Sequence, residues 1–188
     1  MKVGIAGGIG SGKSYVAQRL AKHGIEVYDC DAAAKRLMHA SAELRRQLTE
    51  LIGPDTYQSG LLNKAAVSRF LLASEENAHA INAVVHPAVF ADFQQSGMQW
   101  LESAIMYESG ADRYVDRVVV VTAPEEVRLQ RIMQRDGITR EQAMEWMRRQ
   151  WPQEEVRRRA DYEIVNDGQT DIDRQLNIIL EQLCSKPF

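Results

Sequence analysis

Cysteine is scarce in this chain. Its 188 residues hold two, Cys30 and Cys184, far apart and outside any C-x-x-C or Cys/His spacing. That excludes a disulfide-framed module and a cysteine-based metal centre, and it leaves free thiols in a reduced compartment as the expectation. Long apolar runs are also missing, and none approaches the length of a membrane span. The first strand-like segment starts at Lys2, so no signal peptide is expected and a cytoplasmic location is. Excess positive charge is lacking too: the formal net charge is −3, which argues against a general nucleic-acid binder. Repeats, low-complexity tracts and an Asn-Lys-x-Asp guanine-reading motif are absent.

Against these absences stands one complete motif. Gly7 to Ser14 read Gly-Gly-Ile-Gly-Ser-Gly-Lys-Ser, a G-x-x-x-x-G-K-[ST] phosphate-binding loop. An apolar stretch, Val3-Gly4-Ile5-Ala6, precedes it, and an amphipathic one, Tyr15 to Leu20, follows. Glycine-rich backbone can turn its N–H groups toward phosphate oxygens, and a helix starting there aims its positive end at the same anion. Nucleotide contacts are therefore expected from Gly8, Ile9, Gly10, Ser11, Gly12, Lys13, Ser14 and Tyr15. Lys13 would meet the outer phosphates, and Ser14 would meet Mg²⁺.

Five short runs read as strands: Lys2–Ala6, Glu26–Tyr28, Ser103–Tyr107, Arg117–Thr122 and Tyr162–Val165. Helical patterns separate them, which predicts an α/β fold. With the phosphate loop, the expected architecture is a three-layer P-loop NTPase fold with a five-stranded parallel sheet. The run Val118–Val121 is apolar on both faces, as a central parallel strand should be. Ligands bind at the carboxyl ends of such strands, where the loop, Asp29–Asp31 and Glu108 are expected to converge.

Residues 32–100 exceed what a crossover needs and predict a helical substrate-binding insertion. Residues 125–159 carry nine arginines and no lysine. Pairing with Glu141, Glu145, Glu154 and Glu155 at helical spacing accounts for most of them. An arginine-rich lid over a triphosphate accounts for the excess. The expected division is a core of 1–31, 101–124 and 160–188, an insertion of 32–100 and a lid of 125–159.

A phosphate loop in a chain this short points to a small-molecule kinase, which also needs a carboxylate near the attacking hydroxyl. Asp29 and Asp31 suit that role. Two residues apart, they point to one side of an extended backbone. One could take the acceptor proton while the other supports Mg²⁺ through water. The plainer reading of Asp31 is a cap for a helix starting at Ala32. Alternatives are another small-molecule or nucleoside kinase, or a non-catalytic nucleotide-gated regulator.

The chain resembles the dephospho-CoA kinase family. The resemblance rests on the phosphate loop, Tyr28-Asp29-Cys30-Asp31, His86-Pro87, Ile105-Met106-Tyr107-Glu108, Gln134-Arg135-Asp136 and Ala160 to Asn166, in matching order from residue 3 to about 180. It implies ATP-dependent, Mg²⁺-assisted phosphorylation of the ribose 3′-hydroxyl of dephospho-CoA, the last step of coenzyme A synthesis, by a monomer or small homo-oligomer. It also implies Asp31 as general base, with Lys13, Arg135 and Arg140 completing the catalytic set. Asn166 then falls near adenine, and Asp29, His86 and Glu108 on the substrate side. Three stretches depart from the family pattern. Asn63-Lys64 replace Asp-Arg, Ala104 replaces a proline, and Arg128 stands where a glutamine is usual.

Overall fold

The loop's position follows from the strand that feeds it. In the computed structural model, which describes residues 1–185, β1 (Val3–Ala6) is buried along its whole length. It leads through the loop into α1 (Lys13–Ala21). The chain then runs through β2 (Val27–Asp29), α2 (Cys30–Ala40) and α3 (Ala42–Ile52) to a short hairpin, β3 (Tyr57–Gln58) with β4 (Leu61–Leu62). There follow α4 (Lys64–Ala73), α5 (Glu75–Ser96), β5 (Trp100–Glu102) and β6 (Arg117–Thr122). Helices α6 (Glu125–Asp136), α7 (Arg140–Arg148) and α8 (Gln153–Arg159), strand β7 (Tyr162–Val165) and α9 (Ile172–Ser185) complete it.

The five-stranded sheet has the order β2-β5-β1-β6-β7. Strand β1 pairs in parallel with β5 and with β6, and β6 pairs in parallel with β7. The sheet and its flanking helices form the expected P-loop NTPase fold. Val119, Val121, Ile5 and Ile164 pack with Leu20 and Val16 of α1 and Leu176 of α9. Burial on both faces explains why these strands read as unbroken apolar runs.

One strand falls elsewhere than its apolar pattern suggests. The third strand in sequence of this sheet is Trp100–Glu102, not Ser103–Tyr107. The ladder ends when Ser103 N–H donates to Ile5 O (3.0 Å). Ser103 Oγ then accepts from Ile105 N–H (3.2 Å) and turns the chain. Met106 tucks back against β1: a Cβ on Gly4 would lie 2.7 Å from its Cε. A short apolar run buried as a loop carries the same signal as a buried strand. The strand's carboxyl end therefore moves from the Glu108 region to Glu102.

The chain divides into two compact units: residues 1–28 with 98–188, and residues 29–97. In the second, α5 is the axis on which α2, α3 and α4 pack. Its buried residues include Ile81, Val85, Val89, Phe90 and Phe93. Arg36 of α2 pairs with Asp92 of α5 (2.5 Å). Asn63, where the family pattern has Asp, caps α4 by accepting from Ala66 N–H (3.2 Å). In the β3–β4 turn, Ser59 and Gly60 both take positive φ, 50° and 81°. That suits a two-residue hairpin whose twist must match its strands.

His86-Pro87 do not end a helix; they lie inside the 22-residue α5. Proline removes one N–H from the ladder, but burial of Ile81 and Val85 before it and Val89 and Phe93 after it holds the helix together. The His86 ring lies 5.9 Å from that of Phe90, and burial lowers its pKa from 6.5. The folded chain thus prefers neutral imidazole, while the unfolded chain takes up the proton more readily. Its contribution to stability is complete above pH 6.5 and is lost as pH falls toward the lower folded value. Between pH 7 and pH 5 the melting temperature of a His86→Gln variant should fall by less than that of the unsubstituted protein. Equal falls would contradict this.

Candidate active site

The phosphate loop is shaped by glycine and held by donors from outside it. Gly10 and Gly12 have φ of 79° and 95°, a region that side-chain-bearing residues avoid. Gly12 precedes α1, whose first residue, Lys13, is 8% exposed. The loop's carbonyls are taken one by one. Ile9 O accepts from Arg128 Nε (3.0 Å). Gly10 O and Ser11 O both accept from Arg131 Nη1 (3.3 Å each). Ser11 O also accepts from Asn166 Nδ2 (2.9 Å), and Asn166 Oδ1 accepts from Arg131 Nη2 (3.2 Å). Among the described residues no protein acceptor is found for the N–H groups of Gly10 and Gly12. Outward carbonyls tied to donors and inward amides left over make an anion-binding concavity.

Asn166 follows β7, and its N–H donates to Thr122 O (2.7 Å). It is 6% exposed, and its amide is engaged by the loop and by Arg131. Tyr15 lies just inside α1 with an exposed side chain; its hydroxyl accepts from Arg19.

Ser14, exposed in the first turn of α1, donates its hydroxyl to Glu102 Oε1 (3.1 Å). The register explains the pair: Glu102 lies beside Ile5, one strand over from the origin of the loop. The strand shift conceals Glu102 from a reading of sequence alone; the signal available is an acidic residue directly after Trp100-Leu101. Glu108 is six residues past the strand end. Its Oε1 accepts from Trp151 N–H (2.9 Å), which fixes the α7–α8 connection. Its Oε2 is buried without a partner among the described residues. Trp151 stacks on Tyr107 (6.1 Å between centroids). Arg159 lies over both rings, and burial pushes the Tyr107 hydroxyl up to about 12.

Eight of the nine arginines in this segment fall into two groups. Arg135 pairs with Asp136, Arg140 with Glu126, and Arg149 with Glu145. Arg157 pairs with Glu154 and Glu163, while Arg158 and Arg159 share Glu155. These are solvent-exposed pairs, worth little to stability. Glu141 is not among the partners: its carboxylate is lowered chiefly by backbone N–H bonding and by Thr139. Arg128 and Arg131, three apart on α6 and so on one face, turn instead to the loop. Their spacing is the signal the sequence offers. Trp146 is 37% exposed, whereas Trp151 stacks on Tyr107.

In the second unit, Asp29 is the N-cap of α2: Oδ1 accepts from Asp31 N–H (2.9 Å) and Ala32 N–H (3.0 Å). The capping role read for Asp31 belongs to Asp29. Asp31 lies in the first turn, exposed, with no hydrogen bond to its carboxylate among the described residues. Cys30 between them is buried.

The family model described as dephospho-CoA kinase matches residues 1–171. The chain belongs to the dephospho-CoA kinase family. A dephospho-CoA kinase from Bacteroides fragilis is 36% identical over 99% of this chain and 94% of its own length. One from Chlorobaculum tepidum is 40% identical over 90% and 88%. The crystal structure of TT1252 from Thermus thermophilus superposes with a TM-score of 0.84 at 33% identity, covering 97% of each chain.

The loop's geometry gives a direct test. A Cβ on Gly12 would collide with Asn166 Nδ2, whereas Gly24, also at positive φ (73°), faces open space. Gly24→Ala should cost about 1–2 kcal/mol of backbone strain. Gly12→Ala adds displacement of Asn166, so it should lower the melting temperature further and abolish ATP binding by calorimetry. ATP binding retained at wild-type affinity in Gly12→Ala would contradict the bracing role of Asn166.

Proposed function

We propose that this protein transfers the γ-phosphoryl group of ATP to the ribose 3′-hydroxyl of dephospho-CoA, giving coenzyme A and ADP. The observation that carries the reading is the braced loop of Gly7–Ser14 with Glu102 against Ser14, in a chain aligned over nearly its full length with kinases of that name. Phosphoryl transfer needs positioning and charge stabilisation more than covalent chemistry, and such a loop supplies both.

In this reading the amides of Gly8 to Ser14, with the Lys13 ammonium, hold the triphosphate, and the end of β7 at Asn166 receives the base. Ser14 Oγ and Glu102 Oε1 are hard oxygen donors 3.1 Å apart, the kind Mg²⁺ accepts beside phosphate oxygens. Ser14 would hold the ion, with Glu102, Asp29 or Asp31 reaching it through water. When bound, Mg²⁺ neutralises charge on the phosphate oxygens. Asp31 takes the 3′-hydroxyl proton as that oxygen bonds to the γ-phosphorus and the bond to the β-phosphate oxygen breaks. Its carboxylate is exposed and not spent on capping, unlike that of Asp29.

Residues 125–159 act as the lid and residues 32–100 as the substrate domain. On closure Arg135 and Arg140 exchange Asp136 and Glu126 for the transferring phosphoryl, an exchange that exposed pairs permit at little cost. His86 and the unpartnered Glu108 Oε2 remain for the substrate side.

ADP release should be stimulated by dephospho-CoA and not by shikimate, gluconate or nucleosides. Asp31→Asn should lower turnover about 10²–10⁴-fold, as expected for loss of a general base, with ATP affinity unchanged. Near-full turnover in that variant would remove Asp31 from the mechanism.

A further inference from the structure

Arg128 is 6% exposed, and among the described residues its guanidinium makes one hydrogen bond, from Nε to Ile9 O. No carboxylate lies within ion-pair distance of it there. Burial pushes its pKa down, and the charge of Glu125 offsets only part of that effect. An enclosed guanidinium without a counter-charge is costly, and this one is held against the loop. A Cβ on Gly8 would collide with Arg128 Nη2 and would lie 3.1 Å from Gln150 Oε1. Gln150 Oε1 in turn accepts from Ile9 N–H (2.8 Å). A carbonyl oxygen therefore occupies an amide of the phosphate loop, beside an unneutralised cation. Both residues line one cavity of about 550 Å³, together with Arg148, Met147 and Trp151.

The two flanks of the loop differ. Arg131 and Asn166 hold the Gly10–Gly12 half, and Arg128 and Gln150 hold the Gly8–Ile9 half. With the base at the Asn166 end, as proposed above, the terminal phosphate falls at Gly8–Ile9. We infer that Arg128 is a phosphate-contacting residue built into α6, which grips the terminal phosphate of ATP from the Gly8 side of the loop. Gln150 Oε1 holds the place of a phosphate oxygen on Ile9 N–H and yields it when the triphosphate enters. Arg128 thus adds a fixed cation on the donor side, distinct from the solvent-exposed Arg135 and Arg140. The inference rests on the donor-site reading of the loop, and a contact to the terminal phosphate separates ATP from ADP.

The test is calorimetric affinity for ATP and for ADP, with Mg²⁺, in the unsubstituted protein, Arg128→Gln and Arg128→Lys. Glutamine can still donate to Ile9 O while removing the charge, and lysine keeps the charge without the fork. Loss of a charge-assisted contact predicts that Arg128→Gln weakens ATP by about tenfold or more. ADP should stay within about twofold, and Arg128→Lys should fall between. Equal weakening of both nucleotides would make Arg128 a loop brace only and overturn the inference, as would no change in either. Absence of binding of either nucleotide to the unsubstituted protein would overturn the donor-site reading itself. If Arg128→Gln fails to fold, Arg128→Lys decides: an unchanged ratio of ATP to ADP affinity overturns the inference.

Discussion

A phosphate loop can face its amides inward only if its carbonyls are satisfied elsewhere. Buried polar groups left unpaired are expensive, and here Ile9 O, Gly10 O and Ser11 O each find a donor from outside the loop. Two donors are arginines from one face of α6, and the third is the amide of Asn166 after β7. Two elements far from the loop in sequence, α6 and the end of β7, therefore meet at it, and its shape depends on both. The same contacts explain the glycines: Arg128 and Gln150 take the space beside Gly8, and Asn166 takes the space beside Gly12.

The parallel sheet makes this economical. With β1 central and β5, β6 and β7 all running its way, the carboxyl ends deliver the loop, Glu102, Thr122 and Asn166 to one edge. Glu102 reaches Ser14 from the neighbouring strand, and Asn166 is fixed through Thr122 O before it touches the loop. The proposed donor site is thus built from strand ends and one helix face, with its geometry held by backbone register.

Much of this is legible in the chain itself. The motif at 7–14 and the valine run at 118–121 carry strong local signals, and both form what they predict. Asn166 reads as a site residue, although its amide binds the loop. What stays hidden involves tertiary choice. Ala104 to Tyr107 are as apolar as a strand, yet Ser103 turns the chain and Met106 is buried as a loop, so the strand-end acid is Glu102 rather than Glu108. Asp29 and Asp31 are equally good caps in sequence; only the φ/ψ of the strand end decides that Asp29 takes the role. Arg128 and Arg131 are two among nine arginines, and nothing in composition separates a loop-bracing guanidinium from a solvated one. Their i, i+3 spacing gains meaning only once α6 is known to lie against the loop.

The central claim is that the braced loop is the donor end of a phosphoryl transfer. Its most direct measurement follows the γ-phosphorus of ATP by ³¹P NMR, with the protein, Mg²⁺ and dephospho-CoA present. The account predicts a new phosphomonoester resonance on the ribose 3′-oxygen of the acceptor, growing in step with ADP. Release of the γ-phosphorus as inorganic phosphate alone, or its transfer to a different position, would contradict it.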